Sequence, residues 1–254
     1  MKFSRTLLAY AILSVASAFA PALALEIRTA AQDSQPKFLK DAKGISGLCV
    51  DIFRAIERAD PELNFSSLKE FVPLPRIEDR LVKGALDAFC GLAKTASRQS
   101  KLDFIELPLY MTSSVLAARS DEKSDPQSFD ELRKLGADAV VMVVSQTVHA
   151  EVLGAQPGIK MDASAWDTST NLQKLLAGRG RFVYHNDFAL ADEIERDKLG
   201  GKVKILSGRF ASEGRFMVVS KAAPPKIKQK LTAALEKLSK SGELARIFQA
   251  YKPR

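Results

Sequence analysis

The chain has 254 residues, 46% of them hydrophobic, with 38 Lys and Arg against 30 Asp and Glu for a formal charge of +8. That hydrophobic share can bury a sizeable core, while interspersed charges with no basic run and few clustered aromatics argue against a nucleic-acid partner. His149 and His185 are the only histidines; without HxxxH or Cys-His spacing they give no zinc signature, and no GxSxG, phosphate loop or GxGxxG precedes a helix.

In chain order, Lys2 and Arg5 precede a mostly apolar run from Leu7 to Ala18, and Ala22-Leu23-Ala24 supplies a small-x-small cleavage pattern. Residues 1–24 therefore read as a secretory signal, and a mature chain from Leu25 is expected to be exported and periplasmic. The apolar run falls short of the roughly 20 residues that span a bilayer, and no later segment is long or apolar enough. An uncleaved N-terminal anchor is the alternative; a lipoprotein anchor would need a cysteine at the cleavage point. The charge without Lys2 and Arg5 is about +6, which suits anionic ligands or surfaces.

Glu26 to Ala30 reads as a first strand, followed by a polar loop and a turn marked by Gly44 and Gly47. Val50, Ile52, Phe53, Ile56 and Ala59 fall at helical spacing until Asp60-Pro61 ends the run. Leu63 to Phe71 reads as a second strand, Pro73 and Pro75 open a helix carrying Ile77, Leu81 and Val82, and Leu86 to Leu92 is a third strand. This alternation predicts βα units around a parallel sheet. Ser114 to Ala118 is a further strand, and the charged stretch Arg119 to Gln127 marks a lobe boundary. Ser128 and Glu131 form a capping box, Ala139 to Val144 a buried strand, Leu172, Leu175 and Leu176 a helix face, and Phe182 to Tyr184 a strand. Val203 to Leu206 and Phe216 to Val219 are short strands, and two amphipathic helices close the chain.

The stretch with the most chemistry is Gly91 to Arg98. Small and polar residues at a strand end leave N–H groups accessible, and an arginine adds a planar fork that grips a carboxylate. Such a strand end is where open α/β sheets bind ligands. The alternative is that Thr95 caps a helical turn while Arg98 pairs with Asp103 on the surface. Ser145-Gln146-Thr147 repeats the pattern at a second strand-to-helix junction, where a simple N-cap is again the alternative. Asp87, Asp103 and Glu106 are carboxylates with solvated or capping roles expected. Cys49 and Cys90 are the only cysteines; export favours one disulfide between a helix start and a strand, and two buried free thiols are the alternative.

Several segments, taken in order, resemble one family. They are Gly47-Leu48-Cys49-Val50-Asp51, Leu81 to Asp87, Thr95-Ala96-Ser97-Arg98 with Asp103-Phe104, Pro108 to Tyr110, Ser128 to Leu135, Leu176 to Arg179, and Gly242 to Ile247. Across the whole mature chain they resemble the family 3 bacterial extracellular solute-binding proteins, the type of periplasmic receptor that serves amino-acid ABC importers. The resemblance implies an α/β, type II periplasmic-binding-protein fold of two lobes, each a mostly parallel sheet flanked by helices. Residues 25–117 with 213–254 form lobe 1 and residues 118–212 form lobe 2. Two crossing strands join them, with hinge closure over a cleft. It also implies a monomer without cofactor or metal, a small carboxylate-bearing ligand (an amino acid or related organic acid) and an ABC permease as partner.

On that resemblance Arg98 takes the ligand's carboxylate, helped by Thr95, by backbone near Gly91 and Ala93, and by Thr147. The chain departs from the family at several points. Gly91 and Ala93 replace the usual serines, and Asn186, or Asp187 one residue later, stands where an aspartate takes the amino group. The covering aromatic falls near Pro73 and Leu74, with Arg76 close by. These departures disfavour an ordinary polar amino acid and leave room for a second anionic group meeting Arg76. Two other functions fit the same resemblance. One is an enzyme similar to cyclohexadienyl dehydratase, with an acid–base carboxylate in the cleft, and the other is an accessory or sensory module for a periplasmic partner.

Overall fold

Strands and helices alternate through two α/β lobes, and two long strands pass between them. The computed structural model describes residues 24–41, 44–66 and 68–252; the signal-type segment lies outside them except for Ala24. The first lobe contains β1 (Leu25–Arg28), β2 (Leu39–Asp41), β3 (Gly44–Ser46), α1 (Leu48–Ala59), β4 (Leu63–Ser66), α2 (Leu74–Val82), β5 (Ala88–Ala93) and α3 (Ala96–Lys101). The crossing strand β6 (Leu102–Arg119) leads to α4 (Phe129–Lys134), β7 (Val141–Val144), α5 (Val148–Gly154), β8 (Met161–Ala165), α6 (Thr168–Leu176), β9 (Phe182–Asn186), α7 (Asp187–Arg196) and β10 (Val203–Ile205). A second crossing strand, β11 (Ala211–Ser220), returns the chain to α8 (Pro225–Lys240) and α9 (Glu243–Ala250).

Parallel pairs form in each lobe, β1 on β4 and β7 between β8 and β9, whereas β5, expected in the same parallel sheet, pairs antiparallel with the returning crossing strand β11. The crossing strands run in opposite directions and so pair antiparallel, with Arg215 opposite Tyr110. One apolar core gathers α1, α2, α8 and α9 around β5, with Phe53 stacked on Phe65 at 4.2 Å between ring centres. Two smaller cores lie on the second lobe, one including Leu116, Val143 and Tyr184 and the other Val115, Met142 and Val183. Alternate residues of β6 thus face opposite sides of the sheet, as strand geometry requires. Among the described residues no helix is long and apolar enough to cross a membrane.

Asp103 and Glu106, expected in solvated or capping roles, lie in the first half of β6. Pro108 survives inside this central strand because the pairing with β11 shifts register at Phe216, opposite Pro108. β8 is an addition: polar Asp162 and Ser164 on an edge strand leave little apolar alternation to see. The strand predicted at Leu63–Phe71 ends at Ser66, and Phe71 keeps one bridge to Ala31.

Asp87 is neither solvated nor a cap. It is buried and accepts from Arg28 Nε at 2.8 Å, Arg28 Nη2 at 2.6 Å and the Arg28 backbone N–H at 2.8 Å. Its own N–H donates to Arg28 O and its carbonyl accepts from the Ser220 N–H, so one residue ties β1 to β11. Burial opposes its ionisation, but the Arg28 hydrogen bonds outweigh that and hold its carboxyl below the usual range.

Cys49, in the first turn of α1, is bonded to Cys90 in β5 with their Cα atoms 5.9 Å apart. The bond closes a loop between residues 41 apart in sequence, and a closure of that size stabilises a fold by about 2–4 kcal/mol through the unfolded chain. Cys49→Ala/Cys90→Ala should therefore lower urea stability by about that amount. A reductant should destabilise the parent and leave the double variant unmoved; equal curves for parent and variant would exclude the bond.

Candidate functional site

A cleft between the lobes leads into a cavity of about 90 Å³, the scale of a small solute rather than a polymer. The first lobe lines it with Gln32, Ser34, Lys37, Leu74, Gly91, Ala93 and Arg98. The crossing strands add Tyr110, Thr112 and Arg215, and the second lobe adds Thr147, His149, His185, Asn186 and Phe188. Among the described residues that line it there is no Asp or Glu.

Arg98 lies in α3, whose N-cap is Thr95, with Thr95 Oγ1 accepting from the Arg98 N–H at 3.2 Å. The side chain is buried. Its Nε and Nη2 donate to Glu78 Oε1 at 3.1 and 2.8 Å, and its Nη1 donates to Ala93 O at 3.1 Å. The surface pair with Asp103 does not form, since Asp103 accepts from Lys228 Nζ at 2.9 Å. Glu78 and Ala93 thus fix the guanidinium at the cavity wall.

Thr147 and Asn186 also line the cavity, but their side chains already cap helices. Thr147 Oγ1 donates to Val144 O at 2.8 Å and accepts from the Ala150 N–H at 3.4 Å; Asn186 Oδ1 accepts from the Ala189 N–H at 2.8 Å. Thr95 is not a lining residue. Neither is Asp187, whose Oδ1 accepts from the N–H groups of Ser113 and Phe188, both at 2.9 Å. Arg76 is exposed on α2 and outside the cavity, so the second anionic group expected there finds no partner in it.

Two cations that sequence reasoning missed stand in the cavity instead. Lys37 is 8% exposed, and its Nζ donates to Gln32 Oε1 at 2.5 Å. Burial, then Arg215 and Arg98 nearby, push its amine down to about 7. Arg215 is 7% exposed and donates from Nε to Thr112 Oγ1 at 3.0 Å. Its Nη2 lies 3.3 Å from Glu213 Oε2, an ion-pair approach without hydrogen-bond geometry, so both atoms are buried without a hydrogen bond.

Gly91 makes room for this cluster. Its φ is +85°, and a Cβ there would come within 2.7 Å of Tyr110 Oη and 2.8 Å of Lys37 Cδ. His149 and His185 stack at 4.5 Å between ring centres. Burial, with Arg215 next, brings His185 down to about 4, and burial also holds His149 well below its ordinary value, so both rings are neutral at physiological pH. Burial pushes the Tyr110 hydroxyl up to about 12, leaving a phenol donor. The cavity wall therefore combines fixed guanidiniums, an amine poised to take a proton, and neutral donors, a set chemically suited to an anion.

A family model described as bacterial extracellular solute-binding proteins, family 3, matches residues 25–254. No curated protein matches the chain. Among solved structures, a mutant of ArgBP from T. maritima superposes with a TM-score of 0.73 at 20% identity, covering 89% of this chain and 94% of that one. The ancestral amino acid-binding protein AncCDT-1, a precursor of cyclohexadienyl dehydratase, superposes at 0.74 with 18% identity, covering 90% and 96%. The ligand-binding core of GluR0 from Nostoc punctiforme, in complex with L-glutamate, gives 0.73 at 18% identity, covering 89% and 98%.

Lys37 gives the ligand-free protein a pH signature. Its amine titrates near 7 in the folded chain and near its ordinary 10.5 when unfolded. In that window the unfolded state binds more protons, so this residue makes stability rise with pH. Urea midpoints of the parent should climb between pH 7 and 10 relative to those of Lys37→Met. Parallel pH profiles would show that the amine is not shifted.

Proposed function

The chain belongs to the family 3 bacterial extracellular solute-binding proteins, and on that premise we propose that it captures a small carboxylate-bearing solute between its lobes for an ABC importer. The observation that carries this reading is Arg98, buried at the cavity wall and oriented by Glu78 and Ala93. An arginine held in one geometry loses little entropy on gripping a carboxylate. Gly91 and Ala93 leave the adjoining β5 backbone free of bulky side chains, and Thr147 lines the same cavity from lobe 2.

In this reading lobe 1 comprises residues 25–117 and 213–254 and lobe 2 residues 118–212, closing as hinged bodies about β6 and β11. The leader-like segment 1–24 supports export to the periplasm, where a permease would receive the loaded protein. Turnover on this scaffold calls for an acid–base carboxylate facing the cleft. The titratable groups that face it are cations, a phenol and two neutral histidines, a set suited to holding an anion.

A thermal-shift screen of amino acids, dicarboxylates and small organic acids tests the reading. A ligand at a hundredfold excess over its Kd stabilises the native state by about 2.7 kcal/mol. The parent should show a clear hit that Arg98→Ala removes, and Arg98→Lys should fold normally while binding more weakly. A hit that survives undiminished in Arg98→Ala would remove Arg98 from the site.

A further inference from the structure

Resting on the carboxylate reading of Arg98, we propose that the solute is a small dicarboxylate without an ammonium group. One carboxylate meets Arg98, and the other meets a second basic pole formed by Lys37 and Arg215.

Charge and geometry point the same way. Lys37, Arg98 and Arg215 are each less than a tenth exposed and line one cavity. Each lies close enough to at least one of the others to depress a pKa by charge repulsion. Carboxylates lie behind two of them: Glu78 holds Arg98, while Glu213 and Asp187 sit near Arg215. None of the three carboxylates lines the cavity. A single ligand carboxylate on Arg98 would leave Lys37 and the Arg215 Nη2 without an acid group from the ligand, and a buried charge without a partner is costly. A second acidic group removes that cost.

Unused donors mark where it would sit. Arg215 Nη2 is buried without a hydrogen bond, and buried polar atoms in native proteins are rarely left so. Lys37 Nζ donates to the neutral Gln32 side chain and lies 5.0 Å from the centre of the Phe89 ring, with no carboxylate acceptor among the described residues. Gly91, lacking a Cβ, lets the Tyr110 hydroxyl and the Lys37 stem pack directly against β5.

The same set selects against an α-amino acid. An ammonium needs an acceptor, ideally an anion. Asp187, the one carboxylate near the position that aligns with the amino-group site, spends Oδ1 on two N–H groups and lies outside the cavity. Asn186 spends its carbonyl on the Ala189 N–H. A zwitterion would carry its positive end towards two buried guanidiniums and the Lys37 amine, the kind of repulsion that sets specificity.

Calorimetry on the mature protein decides the matter with succinate and glutarate as probes, compared with butyrate and valerate, and with aspartate and glutamate. A hydrogen-bonded charge contact is worth about 1.5–3 kcal/mol, or roughly ten- to a hundredfold in affinity. One dicarboxylate should bind at least about tenfold tighter than its monocarboxylate and its amino-acid counterpart. Lys37→Met and Arg215→Gln should each bring the dicarboxylate-to-monocarboxylate ratio towards one, and Arg98→Ala should remove binding of both. Should Arg215→Gln not fold, the ratio in Lys37→Met decides. If an amino acid binds best and Arg98→Ala abolishes it, the dicarboxylate assignment falls while the carboxylate reading stands. If no carboxylate binds the parent, both fall.

Discussion

A charge taken out of water must be compensated, and this chain meets that constraint in two different ways. At Asp87 compensation is internal: Arg28 supplies two side-chain donors and its backbone N–H, and the pair joins β1 to the strand that returns from the second lobe. Glu122 and Arg181 do the same on the second lobe, where the Arg181 hydrogen bonds bring the carboxyl down to about 2. In the cavity, by contrast, compensation is incomplete. Lys37 is pushed towards neutrality, and Arg215 keeps a buried nitrogen without a hydrogen bond. Incomplete pairing costs stability in the empty protein, and an anion from outside would recover part of that cost.

Holding such a cluster together requires rigidity around it. The segment carrying Lys37 is tied to the start of α1, with the Leu48 and Cys49 N–H groups donating to Pro36 O and Lys37 O at 3.1 and 3.0 Å. Gly47, at φ +114°, lets that backbone pass, since a Cβ there would lie 2.8 Å from Lys37 O. The disulfide then joins α1 to β5, which bears Gly91 and Ala93. Arg215 is placed by the other framework, the β6–β11 ladder that sets it opposite Tyr110. The basic groups therefore hang from two independent supports, a cross-linked helix start and the crossing strands.

What could be read in advance follows from which signals are local. Helices α1, α2 and α8 carry their apolar stripe and their boundary residues in consecutive sequence, so their extent was legible. Gly91 and Arg98 were legible as candidates because strand ends in α/β sheets are recognisable places. Lys37 and Arg215 were not, because a lysine in a polar loop and an arginine beside Glu213 and Gly214 look solvated until the fold closes over them. The first half of β6 was hidden for a related reason: the charges of Asp103 and Glu106 suggest solvated roles and Pro108 is unfavourable in a central strand, and the bulged pairing with β11 accommodates them. Arg76 is the converse, a cation near the right place in sequence that α2 turns to solvent.

The division of labour across the cleft follows from the same facts. Two of the three cations belong to the first lobe and the third to a crossing strand, while the second lobe lines the cavity with a threonine, an asparagine and two neutral histidines. The polar side chains of Thr147 and Asn186 are already occupied in holding α5 and α7. Approach of the second lobe would thus add little charge. Its effect would be to exclude water, and every charge contact made in the open cleft strengthens as the surrounding dielectric falls. On the proposed reading, attraction would be set by the first lobe and the crossing strands, and retention by the second lobe shutting out solvent.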